Sequence, residues 1–246
     1  MRSGSVPGLC PYNRPMTPLS IIIPVLDEAP GIVAALAALA PARLRGAEVV
    51  VVDGGSRDRT RELAAPIADQ VIEAPRGRAM QMNAGARASR GEVLLFLHAD
   101  TTLPVDADRL ACAGLERSGQ QWGRFDVAIS GADPLLPLVA FFMNVRSRWS
   151  GVATGDQAIF VRREAFEGVG GFPEIPLMED VALSKALRAR SRPLCLRERV
   201  LTSGRRWERG GTLRTIVLMW RLRLAYALGA DPHRLARRYD VERTSG

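Results

Sequence analysis

IIIPVLDE, residues 21–28, is a short run rich in β-branched residues that ends in two acids. The same form returns in VVVVD at residues 49–53, VLLFLHAD at 93–100 and, after an irregular stretch, LMED at 177–180. Such runs read as buried strands, and strands that release carboxylates at their carboxyl ends build a crevice lined with negative groups. Packing alone does not require those acids, whereas a metal ion and a nucleotide ligand do.

Working outward, the apolar runs at residues 19–25, 47–52, 70–73 and 92–97 alternate with Ala-rich helical patterns at 31–39, 58–65, 78–89 and 106–117. That alternation predicts a parallel sheet covered by helices. Ser56 or Asp58 is expected to cap the second helix and Gly91 to close the third. Beyond Pro104 the pattern turns mixed: a strand at 122–130, a helix at 135–149, a strand at 157–161 and a helix at 178–190. Residues 212–228 are apolar all round except for Arg214, Arg221 and Arg223, and a basic helix follows at 233–239. The expected organisation is a leader without structure over 1–18, one α/β domain over 19–210 and a helical tail over 211–246 packed on it.

Of the 246 residues 47% are hydrophobic, ample for one core. Cys10, Cys112 and Cys195 are odd in number and far apart, so neither a disulfide framework nor a zinc site is indicated, and a reducing cytoplasm suits them. No apolar stretch reaches the roughly twenty residues that a bilayer crossing needs. The net charge is +8, yet residues 185–246 hold 16 Lys and Arg against 5 Asp and Glu, so the tail supplies the whole excess. Nearly all these cations are Arg, and no aromatic-interleaved basic pattern points to nucleic acid. A phosphate or membrane contact is the other use for them.

Several short motifs carry candidate chemistry. VVDGGSRDRT, residues 51–60, puts Asp53 at a strand end before two glycines, without being a GxGxxG or GxxxxGK[ST] loop. His98 and Asp100, two apart in an extended segment, share a face and suit a divalent cation whose other ligands are phosphate and water. Glu179 and Asp180 precede a helix; one acid suffices for capping, and the other is available as a general base. Gly155-Asp156-Gln157 delivers polar groups at a strand edge, and Arg205-Arg206-Trp207 combines guanidinium groups with an indole, suited to phosphate.

In order, PVLDE, VVDGGSRDRT, PRGRAMQMNAGARASRGEVLLFLHADT, GDQAIFVRR, FEGVGGFP, MEDV and RRW resemble the motif series of glycosyltransferase family 2, with its GT-A fold, from residue 19 to about 207. The LHADT and GDQ variants resemble a bacterial subgroup of small, soluble members. The resemblance implies a Rossmann-like, mostly parallel sheet, a mixed acceptor half, and a nucleoside-diphosphate sugar, UDP- or GDP-linked, as donor. Pro24, Glu28, Asp53, Ser56, Arg76, Asn83 and Asp100 are then the nucleotide-sugar side, and Gly155, Asp156, Glu179, Arg206 and Trp207 the acceptor or phosphate side. Asp180 is implied as catalytic base, and Mg2+ or Mn2+ as cofactor on Asp100, with His98 standing where the family has an acid.

The glutamine that opens the longer RW motif of processive members is absent, which implies transfer of a single sugar; the single displacement that the implied roles describe inverts the anomeric configuration. Two other readings stand beside it: transfer to a polyprenyl phosphate by an enzyme peripheral to the inner face of the membrane, and a nucleotide-binding regulator without catalysis. A nucleotidyltransferase would need a glycine-rich loop with a basic residue after the first strand, and none is present. The acceptor is not identified.

Overall fold

A computed structural model describes residues 18–244, so all of the expected leader but Pro18 lies outside the described residues. The strands are β1 (Leu19–Val25), β2 (Glu48–Asp53), β3 (Gln70–Glu73), β4 (Val93–Phe96), β5 (Thr101–Thr102), β6 (Trp122–Ser130), β7 (Phe160–Arg162) and β8 (Leu194–Ser203). The helices are α1 (Ile32–Ala37), α2 (Ala40–Leu44), α3 (Thr60–Ala64), α4 (Arg78–Ala88), α5 (Ala107–Ser118), α6 (Leu136–Ser150), α7 (Arg163–Gly168), α8 (Glu179–Arg188), α9 (Arg205–Gly210), α10 (Thr212–Ala227) and α11 (Pro232–Thr244). A 3-10 turn at Gly155–Gln157 precedes β7.

The strands form one sheet in the order β3-β2-β1-β4-β7-β6-β8-β5. The first four are mutually parallel. β7 runs antiparallel to both neighbours, β8 parallel to β6, and β5 antiparallel along the edge. The molecule is thus α/β, with a parallel half and a mixed half in a single sheet.

Alternation along each strand sends side chains to opposite faces. Ile21, Ile23, Val25, Val49, Val51 and Leu95 enter one core, while Ile22, Val50, Val52, Leu94 and Phe96 enter the other. Because helices cover both faces, neither set is exposed, and the strands read as unbroken apolar runs. Each such side chain contributes about 1.5–3 kcal/mol by leaving water. α4 lies close over β1 and β2: a Cβ on Gly85 would come within 2.4 Å of Ile22 Cγ2 and 2.8 Å of Val52 Cγ2. Its far end is held by Arg163, which donates to the carbonyls of Ala86, Ser89 and Gly91 at 2.7, 2.8 and 2.8 Å.

Several sequence expectations are corrected. The helix expected at 31–39 breaks into α1 and α2, with Pro41 in the first turn of α2, where its missing N–H costs nothing. Arg59 occupies the cap position of α3, while Asp58, as expected, accepts the first-turn Thr60 N–H on its Oδ1 at 3.0 Å; Ser56 does not cap the helix. Gly91 does not close α4; it is needed because a Cβ there would lie 2.5 Å from the Ser20 backbone N. The strand expected at 157–161 is two elements, since Gln157 ends the 3-10 turn and Ala158 takes a left-handed conformation at φ 45° before β7 begins. β5, β8, α7 and α9 were not expected; in β8 the exposed Arg197-Glu198-Arg199 interrupts the apolar signal.

The tail makes a third, smaller core. Leu222 of α10 and Leu235 of α11 pack with Met178 and Val181, joined by Leu177, Leu218, Met219, Tyr226 and Tyr239. Among the described residues no helix is long and apolar enough to cross a membrane.

Candidate active site

Two loops meet at the carboxyl ends of β1 and β2. The Asp27 N–H donates to Ser56 Oγ at 2.9 Å and the Arg57 N–H to Asp27 Oδ1 at 2.8 Å. The Glu28 N–H donates to Thr60 Oγ1 at 2.8 Å, and the Ala29 N–H to Asp58 Oδ2 at 3.0 Å. Asp53 is fully buried beneath them; its Oδ2 accepts the Gly55 and Ser56 N–H groups, each at 2.9 Å, and its Oδ1 accepts the Ser56 hydroxyl. Asp53 and Ser56 therefore spend their polar atoms on the shape of the loop. Pro24 pairs in register with Val52 just below. Gln81 was missed: its amide donates to the carbonyls of Val25 and Val52, both at 2.8 Å, and so ties the two strand ends together. A buried amide on the sheet-facing side of α4 was the available signal.

The Glu28 side chain turns toward the rest of the crevice. Burial, and then the carboxylate of Asp100, push its carboxyl above the usual range, with Arg205 opposing. Asp100 itself is exposed. β4 stops at Phe96, and the chain turns so that the Thr101 N–H donates to the His98 carbonyl at 3.0 Å. His98 and Asp100 therefore do not lie two apart on one strand face, contrary to the sequence reading. The His98 Nδ1 is 3.4 Å from Asp156 Oδ1, and its Nε2 lies against Gly155, where a Cβ would approach to 2.4 Å. Both ring nitrogens are thus directed at the Gly155-Asp156 turn.

That turn also holds Asp180. The Gly155 N–H donates to Asp180 Oδ2 at 2.8 Å, and the Val181 N–H reaches Oδ1 at 2.6 Å. Met178, left-handed at φ 71°, redirects the chain into α8, so that Glu179 and Asp180 fall in its first turn. Glu179 is buried, and burial first and Asp180 second push its carboxyl up to about 7, with Arg78 opposing. His98, Gly155, Glu179 and Asp180 line one small cavity, floored by Met82 and Phe96.

Arg78 joins the two groups of acids. It opens α4 immediately after Gly77, whose φ of 143° only glycine adopts readily. Its side chain is exposed at the mouth of the site; desolvation by the surrounding chain works against its charge, yet the carboxylates of Glu179, Asp156 and Asp180, together with the Tyr239 phenol, hold its pKa above the ordinary value. The same guanidinium acts on Glu28. The charge of Arg78 thus links Glu28 to Asp156, Glu179 and Asp180, and Glu28 in turn feels Asp100.

The remaining expected residues are placed differently. Asn83 is buried and exchanges two hydrogen bonds with the Phe172 backbone, at 2.8 and 2.9 Å, so it clamps the loop before α8. Arg76 is exposed. Trp207 is half-buried and packs on the larger core. Arg206 lies outside the residues whose side chains are described. Arg78, two residues beyond Arg76 in the same PRGR segment, is the one that reaches the acids.

For a metal, Glu28 and Asp100 are the fitting pair: the Asp100 carboxylate raises the cost of charging Glu28, and a divalent cation between them removes that cost. No group of three His, Cys, Asp or Glu positioned to hold an ion occurs among the described residues. The pair suits an ion that draws its other ligands from bound phosphate. A larger concavity of about 500 Å³ lies elsewhere, between α6 and the β6/β8 strands, and contains none of these acids.

The sequence profile described as glycosyl transferase family 2 matches residues 20–167. A PGL/p-HBAD biosynthesis glycosyltransferase of Mycobacterium tuberculosis is 33% identical over 173 residues, 62% of this chain and 62% of that one. The probable glycosyltransferase YdaM of Bacillus subtilis is 29% identical over 163 residues, 56% of this chain and 38% of that one. The chain thus spans less than two thirds of either relative. Among solved structures, S. aureus TarS 1–349 in complex with UDP superposes with a TM-score of 0.60 at 18% identity, covering 75% of this chain and 60% of that one. A mannosyltransferase from Pyrobaculum calidifontis in complex with GDP-Man and Mn2+ gives 0.59 at 24% identity, covering 84% and 60%. At these identities the shared property is the GT-A fold.

Proposed function

The chain belongs to glycosyltransferase family 2, and from that premise we propose that it transfers a single sugar, with inversion, from a UDP- or GDP-linked donor to an acceptor hydroxyl. The observation that carries this reading is Asp180, held by the Gly155 and Val181 N–H groups and lining one small cavity with His98 and Glu179, while the charge of Arg78 acts both on these acids and on Glu28 at the strand ends.

In this reading Asp180 accepts the hydroxyl proton as the acceptor oxygen attacks the anomeric carbon, and the bond to the nucleoside diphosphate breaks with its electron pair leaving on the phosphate. The two backbone N–H groups on its carboxylate keep Asp180 aimed. Glu28 and Asp100 would hold Mg2+ or Mn2+, which when bound neutralises the diphosphate. Asp53 and Ser56 act by holding the loop on which the base of the nucleotide rests, while Arg76 and Arg78 contribute positive charge. Glu179, with its proton held near neutrality, shapes the acceptor side with Gly155 and Asp156. Arg206 and Trp207 remain on the phosphate side of this proposal.

Release of nucleoside diphosphate from UDP- and GDP-sugars, abolished by chelator, tests the reading. Asp180→Asn is expected to lower turnover by about 10² to 10⁴ while leaving nucleotide binding intact. Full activity in that variant removes Asp180 from the role, and nucleotide binding with no turnover of any donor points to a regulator.

A second reading, transfer to a polyprenyl phosphate, is favoured by exposed apolar side chains: Phe141, Phe142 and Trp149 on α6, and Val217, Trp220 and Leu224 on α10. Aromatic groups of this kind suit a membrane interface without spanning it. Flotation with anionic vesicles is the expected behaviour, and a protein that stays behind refutes the membrane contact.

A further inference from the structure

Arg146 stands one turn before the end of α6 and Arg223 in the last third of α10, and the charge of Arg223 acts on Arg146. The Nε and Nη2 of Arg146 and the Nε of Arg223 are withdrawn from solvent and have no hydrogen-bond partner among the described residues. Other arginines of the fold have partners: Arg124 and Arg148 share Asp126, although the Arg124 Nε is also without a partner, Arg45 binds Asp108, and Arg163 binds three carbonyls.

A buried cation with unused donors is costly, and a second cation beside it adds repulsion. Burial, and then the charge of Arg223, bring the pKa of Arg146 down to about 10. Burial likewise lowers that of Arg223, with Asp180 and Asp156 opposing. The pair stands beside the candidate base. Leu222, next to Arg223, packs on Met178 and Val181, which flank Glu179 and Asp180. The segment after α6 is bonded to α8 through the Ala153 N–H and Ser184 Oγ at 3.1 Å, and it ends at Gly155, the donor to Asp180.

We propose that Arg146 and Arg223 form an anion subsite for the acceptor, binding a phosphate group that the acceptor carries and so holding its hydroxyl at Asp180. This rests on the reading of Asp180 as base. Two cations with unpartnered donors match a phosphomonoester, whose charge at neutral pH is about −1.5 to −2, better than a single carboxylate. Guanidinium donors also fit phosphate oxygens in pairs. Lipid-borne and soluble phosphates share this chemistry.

The test is thermal stabilisation by inorganic phosphate, against chloride at equal ionic strength, with the donor site filled by UDP or GDP. Wild type is expected to gain stability with phosphate. Arg146→Gln and Arg223→Gln should each require about tenfold more phosphate, the scale of one charged hydrogen bond, while binding the nucleotide as wild type does. Without phosphate each variant should be no less stable than wild type, because a buried unpaired charge has gone. No phosphate-specific gain in wild type, or an equal gain in both variants, overturns the subsite. Weaker nucleotide binding in the variants also overturns it, by assigning the pair to the donor's diphosphate. If UDP and GDP fail to bind at all, the donor reading fails, while the phosphate response still reports on the arginines. A second arm uses phosphatidylcholine vesicles with and without phosphatidic acid. Arginine-dependent retention on the acidic vesicles identifies a lipid phosphate, and a phosphate response without it identifies a soluble acceptor.

Discussion

Glu179 shows how one carboxyl differs from its neighbour. Both acids begin α8, but Asp180 has two backbone N–H partners, whereas Glu179 is buried against that charge. The sign of the consequence follows. Its folded-state pKa, about 7, lies above the ordinary 4.5, so the folded protein holds this proton more tightly than the unfolded chain does. That contribution to stability is complete below the unfolded value and is lost as pH rises through the folded one. The thermal midpoint of wild type should therefore decline between about pH 5 and about pH 8, and Glu179→Gln should flatten the decline. An unchanged slope in the variant would show that Glu179 does not carry it. His98 gives a residue-scale lesson of another kind: the HxD spacing was visible in the sequence, but the turn that separates the two side chains was not, because it depends on the hydrogen bond from Thr101 back to His98.

At the scale of elements, the helix most exposed to a test is α4. Alanine at position 85 gains about 1 kcal/mol of helix propensity over glycine, yet its Cβ would collide with Ile22 and Val52. Overpacking costs about 1–3 kcal/mol, so Gly85→Ala is expected to lower the stability measured in urea. A variant as stable as wild type would mean that helix and sheet are not in such close contact. The parallel half was legible because β1, β2 and β4 are buried on both faces and leave unbroken apolar runs. The mixed half was only partly so. β8 has an exposed middle, β5 is two residues long, and β7 begins after Ala158 has reversed the backbone, so neither period nor length marked them. Of the site, Asp53 was readable as a strand-end residue, whereas LMED at 177–180 is no strand, and Glu179 and Asp180 were readable as acids at a helix start; the cations Arg78, Arg146 and Arg223 were not readable, since one opens a helix and the others sit among apolar residues in α6 and α10.

At the scale of the whole molecule, three cores divide the work. Two line the faces of the sheet, and the third joins the tail to the turn that carries Glu179 and Asp180. Leu222→Asp places a charge in that third core, with an expected cost of about 2–5 kcal/mol from lost apolar packing alone. The tail should then become cleavable by protease between Gly211 and Gly229, and turnover should fall while UDP or GDP still binds. Loss of nucleotide binding in the same variant would show that the third core also supports the donor half.

The tail meets the turn that carries Glu179 and Asp180 through the third core, and its Ile216 packs on the larger one. Under the proposed roles, exchanging that appendage between related chains is a route to new acceptor preferences, and the splice belongs at Gly211, where the backbone already bends before α10.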